Sequence, residues 1–384
     1  MGSLRVQALT VADIGDDGLT NRFDDPHGYI ARNDATWARM LRENPFAQPT
    51  DLAILLAVED REGQKPAVVG RLGFYAGPGE IVDAGATSGG RKDFRTFWMD
   101  GFFLAEQHRS SGIGGVIMLQ GVARCKSLLA CGGPSADAQK LYKAAGLKEI
   151  GPLKRWVAFN SGVGPARKAF KNAALAAIAA PFASVAAKLL YAAKGATANP
   201  SRLTFKPVST FSPELDALVA QAAMQSGALS RFPRDSRSLN WAMKYRRIKA
   251  FEVHESGQLV GYALLKRSVL DATQHGLGTI VVGALLDYFL VNPSRENKRD
   301  LVLFTLGHFR RNRGDGDLPS EMGRVDVTEF QVFDTDLDAI CKGFGLVHAG
   351  GLRVLFRPAP TAPMSDATKW TLTHATSDML LMTP

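Results

Sequence analysis

The strongest constraint in this sequence is one short turn, Arg109-Ser110-Ser111-Gly112-Ile113-Gly114-Gly115. The run Phe97–Ala105 before it is rich in aromatic and branched residues and reads as a strand. The run Gly112–Ala123 after it has helical period, with Val116, Leu119 and Ala123 on one side. A strand therefore feeds straight into a helix through glycines. Such a turn leaves backbone N–H groups uncovered at the positive end of the helix, which suits a pyrophosphate. Arg109 adds a full charge beside it. The plainer reading is a tight strand-to-helix turn that binds nothing. A dinucleotide fingerprint is not met, because Ile117 stands at the third glycine position. No Gly-Lys-Ser/Thr follows, so the turn is not a phosphate loop of the Walker type.

The same order of elements occurs twice. In the first half, Leu52–Glu59 and Ala67–Tyr75 read as a hairpin about Arg61–Lys65, followed by a glycine-rich loop over 77–91. The strand and helix just described come next, then a strand at Leu128–Cys131, a helix at Ala136–Ala145 and a closing strand at Lys154–Phe159. In the second half, Ala250–Glu255 and Leu259–Arg267 pair about Ser256-Gly257. Thr279–Val291 is the long apolar strand, Arg299–Arg311 a helix, Val325–Phe333 a strand, Leu337–Lys342 a helix and Leu352–Arg357 a last strand. This is domain duplication with little sequence identity between the halves. The expected division is 1–160, a helical linker 161–202, 203–358, and a C-terminal extension 359–384.

Arg109-x-x-Gly112-x-Gly114 resembles the pyrophosphate loop of the GNAT acyltransferase superfamily. Ser135-Ala-Asp-Ala138-x-x-Leu141-Tyr142-x-x-x-Gly146-Leu147 resembles that superfamily's late helix motif, with Ser135 and Leu147 where Asn and Phe are usual. The resemblance implies an α/β (α+β) fold of two tandem GNAT-like domains, each a mixed, splayed sheet flanked by helices. It implies an acetyl-coenzyme A or other acyl-coenzyme A cofactor. The diphosphate would lie on the amides of Ser110, Gly112, Ile113, Gly114 and Gly115, beside Arg109. The pantetheine would run along the strand at Phe103 and Leu104. The implied reaction is attack of an amine on the thioester. Tyr142 is the candidate acid, or else it only packs beside the cofactor. Asp100 is the candidate base, ahead of Glu106, although structural or solvated roles stand open for both carboxylates. His108 reads as a surface residue.

In the second half, the corresponding turn Asn292-Pro-Ser-Arg-Glu-Asn-Lys-Arg299 contains no glycine. That half is expected to be a degenerate domain without acyl-coenzyme A. Its entry segment interleaves Arg231, Arg234 and Arg237 with Phe232, Trp241 and Tyr245. Either Trp241 and Tyr245 pack inwards on an exposed helix, or Arg234, Arg237 and Trp241 hold an anionic nucleotide or sugar-nucleotide effector. Arg310, Arg311 and Arg313 read as a solvated helix end. The tandem layout with Arg234-Asp-Ser-Arg-Ser-Leu-Asn-Trp241 resembles bacterial GNAT proteins of exopolysaccharide or cell-envelope synthesis. That implies an amino sugar or sugar nucleotide as acceptor. A non-catalytic binding protein on the same scaffold is the alternative, and a Fem-like transferase dependent on aminoacyl-tRNA is another.

Composition narrows the remaining classes. Hydrophobic residues at 46% and charged residues at 22% exclude wholesale disorder. Cys125, Cys131 and Cys341 have no C-x-x-C spacing, so neither a disulfide framework nor a zinc site is expected. The net charge of +9 points to phosphorylated or anionic partners, but no nucleic-acid-binding signature accompanies it. There is no basic and apolar leader, and a cytoplasmic protein is expected. The apolar stretch 170–193 is interrupted by Lys171, Pro181 and Lys188. It reads as a linker helix kinked or broken at Pro181, with surface contact to a membrane as the alternative to packing on a neighbour and no transmembrane span expected.

Overall fold

The computed structural model describes residues 3–83, 90–132, 135–169, 173–225, 229–231, 235–245, 248–272, 278–291, 293–311, 324–358 and 370–371. In chain order the first elements are β1 (Leu4–Thr10), α1 (Ala35–Arg42), β2 (Leu52–Glu59), β3 (Ala67–Asp83), β4 (Gly90–Leu104), α2 (Ile113–Arg124), β5 (Leu128–Gly132), α3 (Ala136–Ala144) and β6 (Lys148–Phe159). There follow α4 (Val163–Ala169), α5 (Ala173–Ala193), β7 (Leu203–Val208), α6 (Glu214–Gln225), β8 (Leu229–Arg231) and α7 (Ser236–Tyr245). The last are β9 (Ile248–Glu255), β10 (Gln258–Ala272), β11 (Gly278–Leu290), α8 (Arg295–Arg311), β12 (Val327–Val332), α9 (Thr335–Gly343) and β13 (Val347–Arg357).

The chain forms two compact units that do not follow its order. Unit 1 gathers Met1–Gly151, Gly227–Trp241 and Arg353–Trp370. Unit 2 gathers Pro152–Ser226, Ala242–Leu352 and Thr371–Pro384. In unit 1, β1, β2, β3 and β4 are antiparallel neighbours in sequence order. Strand β5 joins β4 in parallel, and the end of β13 then pairs with β5 antiparallel, from Arg353 with Gly132 to Arg357 with Leu128. In unit 2, β7, β9, β10 and β11 run antiparallel, β12 joins β11 in parallel, and the end of β6 closes on β12 antiparallel, from Phe159 with Val327 to Lys154 with Val332. The two sheets share one plan, and each is completed by the strand expected to close the other.

Each unit has its own core. In unit 1, helix α2 buries Ile113, Ile117 and Met118 against Leu55, Leu72 and Phe74 of the sheet. In unit 2, α8 buries Leu301, Leu303 and Leu306 with Phe251, Leu265 and Phe330. Burying one such side chain removes apolar surface worth about 1.5–3 kcal/mol.

Two expectations about local structure change. Most of the glycine-rich stretch 77–91 is strand, because β3 continues to Asp83 and β4 begins at Gly90. Glycine there makes room for rings lying across the hairpin. A Cβ on Gly79 would come within 2.3 Å of the Phe94 ring, and one on Gly77 within 3.3 Å of Trp98. Helix α5 does not break at Pro181 but runs on through it to Ala193. Across the α4–α5 turn, the Ser184 hydroxyl donates to the Ala180 carbonyl (2.9 Å) and accepts from the Gly162 amide (2.6 Å). Helix α5 belongs to unit 2 and contributes Tyr191 to its core, as expected of a linker helix packed on a neighbour.

Candidate functional site

The site in unit 1 begins with a fault in the sheet. On β4, Asp100 pairs with Gly73 and Phe103 with Arg71, so two residues of β4 oppose one of β3. Gly101 occupies the bulge at φ +56°, a left-handed conformation that side chains with a Cβ resist. On its other side, β4 meets β5 only at Phe97 and Trp98 among the described residues. Beyond Trp98 the two parallel strands part, and the β4 edge from the bulge to Leu104 is left open there. A bulge bends its strand and ends pairing, so the splay follows from this local geometry.

The open edge leads into a 3-10 turn, Glu106–Ser111, and then into Gly112 and α2. Gly112 takes φ +79° with space around its Cβ position, and it caps α2 without a side-chain hydrogen bond. Gly115 likewise faces open space. Gly114 is enclosed, with Leu104, Phe102 and Leu141 at 3.4–3.7 Å from its Cβ position. Arg109 is exposed and its Nε donates to the Leu104 carbonyl (3.4 Å). Two of the expected amides are already engaged. Ile113 donates to the Ser111 hydroxyl (3.3 Å), and Gly115 to the Gly112 carbonyl (3.0 Å). Ser110 is exposed in the 3-10 turn. Helix-start amides have no acceptor within their own helix. With open space at Gly112 and Gly115 and with Ser110 and Arg109 exposed beside them, the turn fits a diphosphate.

Asp100 and Tyr142 sit on different elements of unit 1. Asp100 is buried on β4 (5% exposed), where its Oδ2 accepts from Arg71 Nη2 at 2.6 Å. Arg71 Nη1 donates to the Tyr29 carbonyl and to Asn33 Oδ1, both at 3.0 Å. Asp100 Oδ1 is buried without a hydrogen-bond partner among the described residues. Gly73 keeps the pair close, because a Cβ there would lie 3.1 Å from Arg71 Nη2 and 3.2 Å from Asp100 Oδ2. Tyr142, on α3, is 8% exposed, with its ring 6.3 Å from that of Phe102. Ser135 caps α3, accepting from the Ala138 amide (3.3 Å). Glu106 is exposed and His108 is half-exposed.

Phe103 follows the bulge, on the β4 edge. Its ring stacks on Tyr29 (5.8 Å, 10°), and Tyr29 stacks in turn on His27 (5.2 Å). Phe102 and Leu104 are the side chains beside Gly114. Sequence reading missed Arg71, Tyr29, Asn33 and Phe102. A lone Arg inside an apolar strand, two residues before a glycine, was the one available signal.

Of the two readings of the arginine and aromatic segment, the packing of Trp241 follows the structural one. The start of the segment, through Trp241, lies in unit 1. Trp241 Nε1 donates to the Met40 carbonyl (3.0 Å), and the Arg237 guanidinium lies over the Phe46 ring at 5.7 Å. Both side chains are thus engaged in holding α7. Arg234 and Phe232 lie outside the described residues.

Unit 2 repeats the plan without the cradle. Strand β11 also carries a bulge, at Leu286, and runs into α8. There Ser294 caps the helix, its hydroxyl accepting from the Asn297 amide (3.2 Å). The buried Lys298 ammonium is held by Asp334 at 2.7 Å and Asp336 at 2.8 Å. Burial alone would lower the Lys298 ammonium, but its hydrogen bonds to the two carboxylates carry it above the usual value. No three metal-ligating side chains converge among the described residues.

No family model matches the chain, and no curated protein matches it. Solved structures do. N-myristoyltransferase from Saccharomyces cerevisiae, with bound myristoyl-CoA, aligns over 98% of this chain and 89% of its own, with TM-score 0.53 and 10% identity. A GCN5-related N-acetyltransferase from Anabaena variabilis covers 92% of this chain and 72% of its own (TM-score 0.47, 12% identity). Another from Kribbella flavida covers 92% and 71% (TM-score 0.45, 10% identity). At these identities the likeness shows the fold, a mixed α/β sheet flanked by helices. The neighbours at that level are N-acyltransferases.

Proposed function

We propose that the chain is an acyl-coenzyme A-dependent N-acyltransferase whose chemistry resides in unit 1. The observation that carries this is the continuous path from the bulge at Gly101, along the open β4 edge, to the bare helix start at Gly112. In that reading, the helix start from Gly112 to Gly115 turns its backbone N–H groups to a diphosphate, Ile113 and Gly115 exchanging the Ser111 hydroxyl and the Gly112 carbonyl for it, with Ser110 and Arg109 at its rim, and the backbone at Phe103 and Leu104 pairs with the pantetheine arm. The cofactor, when bound, supplies an activated thioester.

The chain's own groups then do two things. Asp100 Oδ1, buried and without a hydrogen-bond partner among the described residues, takes a proton from the acceptor ammonium while Arg71 fixes Oδ2. Tyr142 Oη holds the proton for the departing sulfur. The exposed Phe103 ring, backed by the half-buried Tyr29, offers a flat apolar wall to the acceptor. An amino sugar or sugar nucleotide is the acceptor class we propose, on the resemblance of the 234–241 segment. The capped start of α8 and the Lys298 cluster support reading unit 2 as a scaffold without its own cofactor.

Free-thiol release from acetyl-coenzyme A, screened over amino sugars and other amines, tests the reading. Asp100→Asn and Tyr142→Phe should each lower turnover roughly a hundredfold or more while leaving coenzyme A affinity within about threefold. Undiminished turnover in both would remove these roles.

A further inference from the structure

One surface in unit 2 is unexplained by any acyl transfer. Helix α5 leaves Ile178, Phe182, Val185 and Leu189 65%, 75%, 56% and 66% exposed. Their spacing of three and four places them along a single stripe. Large apolar side chains left more than half exposed in a row mark an interaction site.

Charge says which kind. Between Glu149 and Glu214 the chain has no Asp or Glu, while Lys and Arg occur nine times, equal to the whole net charge of +9. Helix α5 sits inside that acid-free stretch. At its far end lies a cavity of about 150 Å³ lined by Phe159, Asn160, Lys188, Tyr191, Arg310 and Arg324. Among the described residues three of these six are cations and none is a carboxylate. Arg310 Nη1 donates to the Ala196 carbonyl (2.9 Å) and its guanidinium lies 4.9 Å over Tyr191. Its Nη2 is buried with no partner among the described residues. Arg324 Nη2 donates to the Asn160 carbonyl (3.2 Å). Burial pulls the Arg310 guanidinium below its ordinary value, so an anion there would satisfy both its charge and its open donor. Lys188, exposed one residue before Leu189, and the buried Tyr191 both belong to α5, so the cavity flanks the C-terminal end of the stripe.

We infer that α5 is a peripheral membrane-binding helix, with its apolar stripe in the interfacial layer of an anionic bilayer and a lipid headgroup phosphate in the Lys188–Arg310–Arg324 cavity. A second copy of the chain is the poorer occupant, because it would bring like charge against like. The helix is long and apolar enough to cross a bilayer. Its other face, however, is committed to unit 2. Tyr191 is in the core, its hydroxyl accepts from the Phe159 amide (3.0 Å), and Ala176 and Ala180 pack on α4. A helix lying in the interface satisfies both faces.

The test is co-sedimentation of the full chain with phosphatidylcholine vesicles and with vesicles that also contain phosphatidylglycerol. Binding should require the anionic lipid and be released by high salt. The exposed pair Ile178→Ser/Phe182→Ser should weaken it by roughly tenfold or more. Lys188→Glu should weaken it by roughly fivefold or more. Circular dichroism confirms that these surface variants fold. Arg310→Gln should abolish any thermal shift given by inorganic phosphate. Equal binding to both vesicles, no binding to either, or full binding by the variants overturns the inference. So does retention through salt and alkaline washing, as for a spanning helix. Self-association that disappears in Ile178→Ser/Phe182→Ser would assign the face to a second copy. A phosphate shift without vesicle binding would assign the cavity to a free anion. The inference does not depend on the acyltransferase reading.

Discussion

Arg71→Met should be among the most damaging single substitutions in unit 1 outside its apolar core. Arg71 and Asp100 are each 5% exposed, and the ion pair between them is 2.6 Å long. The guanidinium also holds the Tyr29 carbonyl and Asn33. Methionine keeps the length of the side chain but leaves the Asp100 carboxylate buried and uncompensated. Breaking a buried pair from one side costs about 3–5 kcal/mol, against a total stability of about 5–15 kcal/mol. At about 2–4 °C per kcal/mol for a domain of this size, unit 1 should melt roughly 6–20 °C lower. Arg71→Met/Asp100→Leu removes both charges and should recover most of that loss, giving a coupling above about 1 kcal/mol. The assay is denaturant and thermal unfolding of the two single variants and the double variant, followed by circular dichroism. A loss under about 1 kcal/mol in Arg71→Met, or additive effects in the double variant, would show that the pair does not brace the bulge.

Further outcomes follow from other parts of the molecule. Gly79→Val should destabilise the β3–β4 hairpin in urea unfolding, because the added Cβ would lie 2.3 Å from the Phe94 ring; unchanged stability would mean the ring simply swings away. Lys298 is held above its usual value, so its contribution to stability is present at neutral pH and lost as pH rises through its folded value. Asp336 is held below its usual value by its hydrogen bond to Lys298, so its contribution is present above about pH 4 and lost as pH falls. Lys298→Met should therefore flatten both limbs of a stability–pH profile, and an unchanged profile would separate the cluster from stability. Burial pushes the Cys125 thiol up to about 12 and raises Cys341 as well. In a Cys131→Ala variant no thiol should react with Ellman's reagent until the chain unfolds; rapid labelling in native buffer would contradict that burial.

The elements carrying strong periodicity were legible in the sequence. Strand β2 matched to the residue, and α2, α3 and β11 matched to within about one residue at either end. The helix start at Gly112 was visible because the residues that bare it are local. The exchange of closing strands was not visible. Lys154–Phe159 and Leu352–Arg357 are both short, half-buried strands at the end of a domain. Nothing in either tells it which sheet edge it will meet, since that choice rests on distant pairings with Val327–Val332 and Leu128–Gly132. The same cause misplaced the arginine and aromatic segment, whose attachment to unit 1 is made through the Met40 carbonyl and Phe46. Asp100 was singled out by its position in the strand, but its partner Arg71 lies across the sheet and could be named only once the register was known. Arg310 was read as a solvated helix end, because the cavity it enters is built from three separate stretches of chain.

The central claim is that the bare helix start at Gly112 holds the diphosphate of coenzyme A. Isothermal calorimetry of coenzyme A with the wild-type chain and with Gly112→Asp tests it most directly. Nothing lies within 4 Å of a Cβ at Gly112, so the variant's cost to the fold is only that of the left-handed backbone, about 1–2 kcal/mol. One site per chain is expected in the wild type, with a loss of roughly tenfold or more in affinity, about 1.4 kcal/mol, when a carboxylate replaces open space at the anion cradle. No binding by the folded wild-type chain, or equal affinity in the variant, would contradict it.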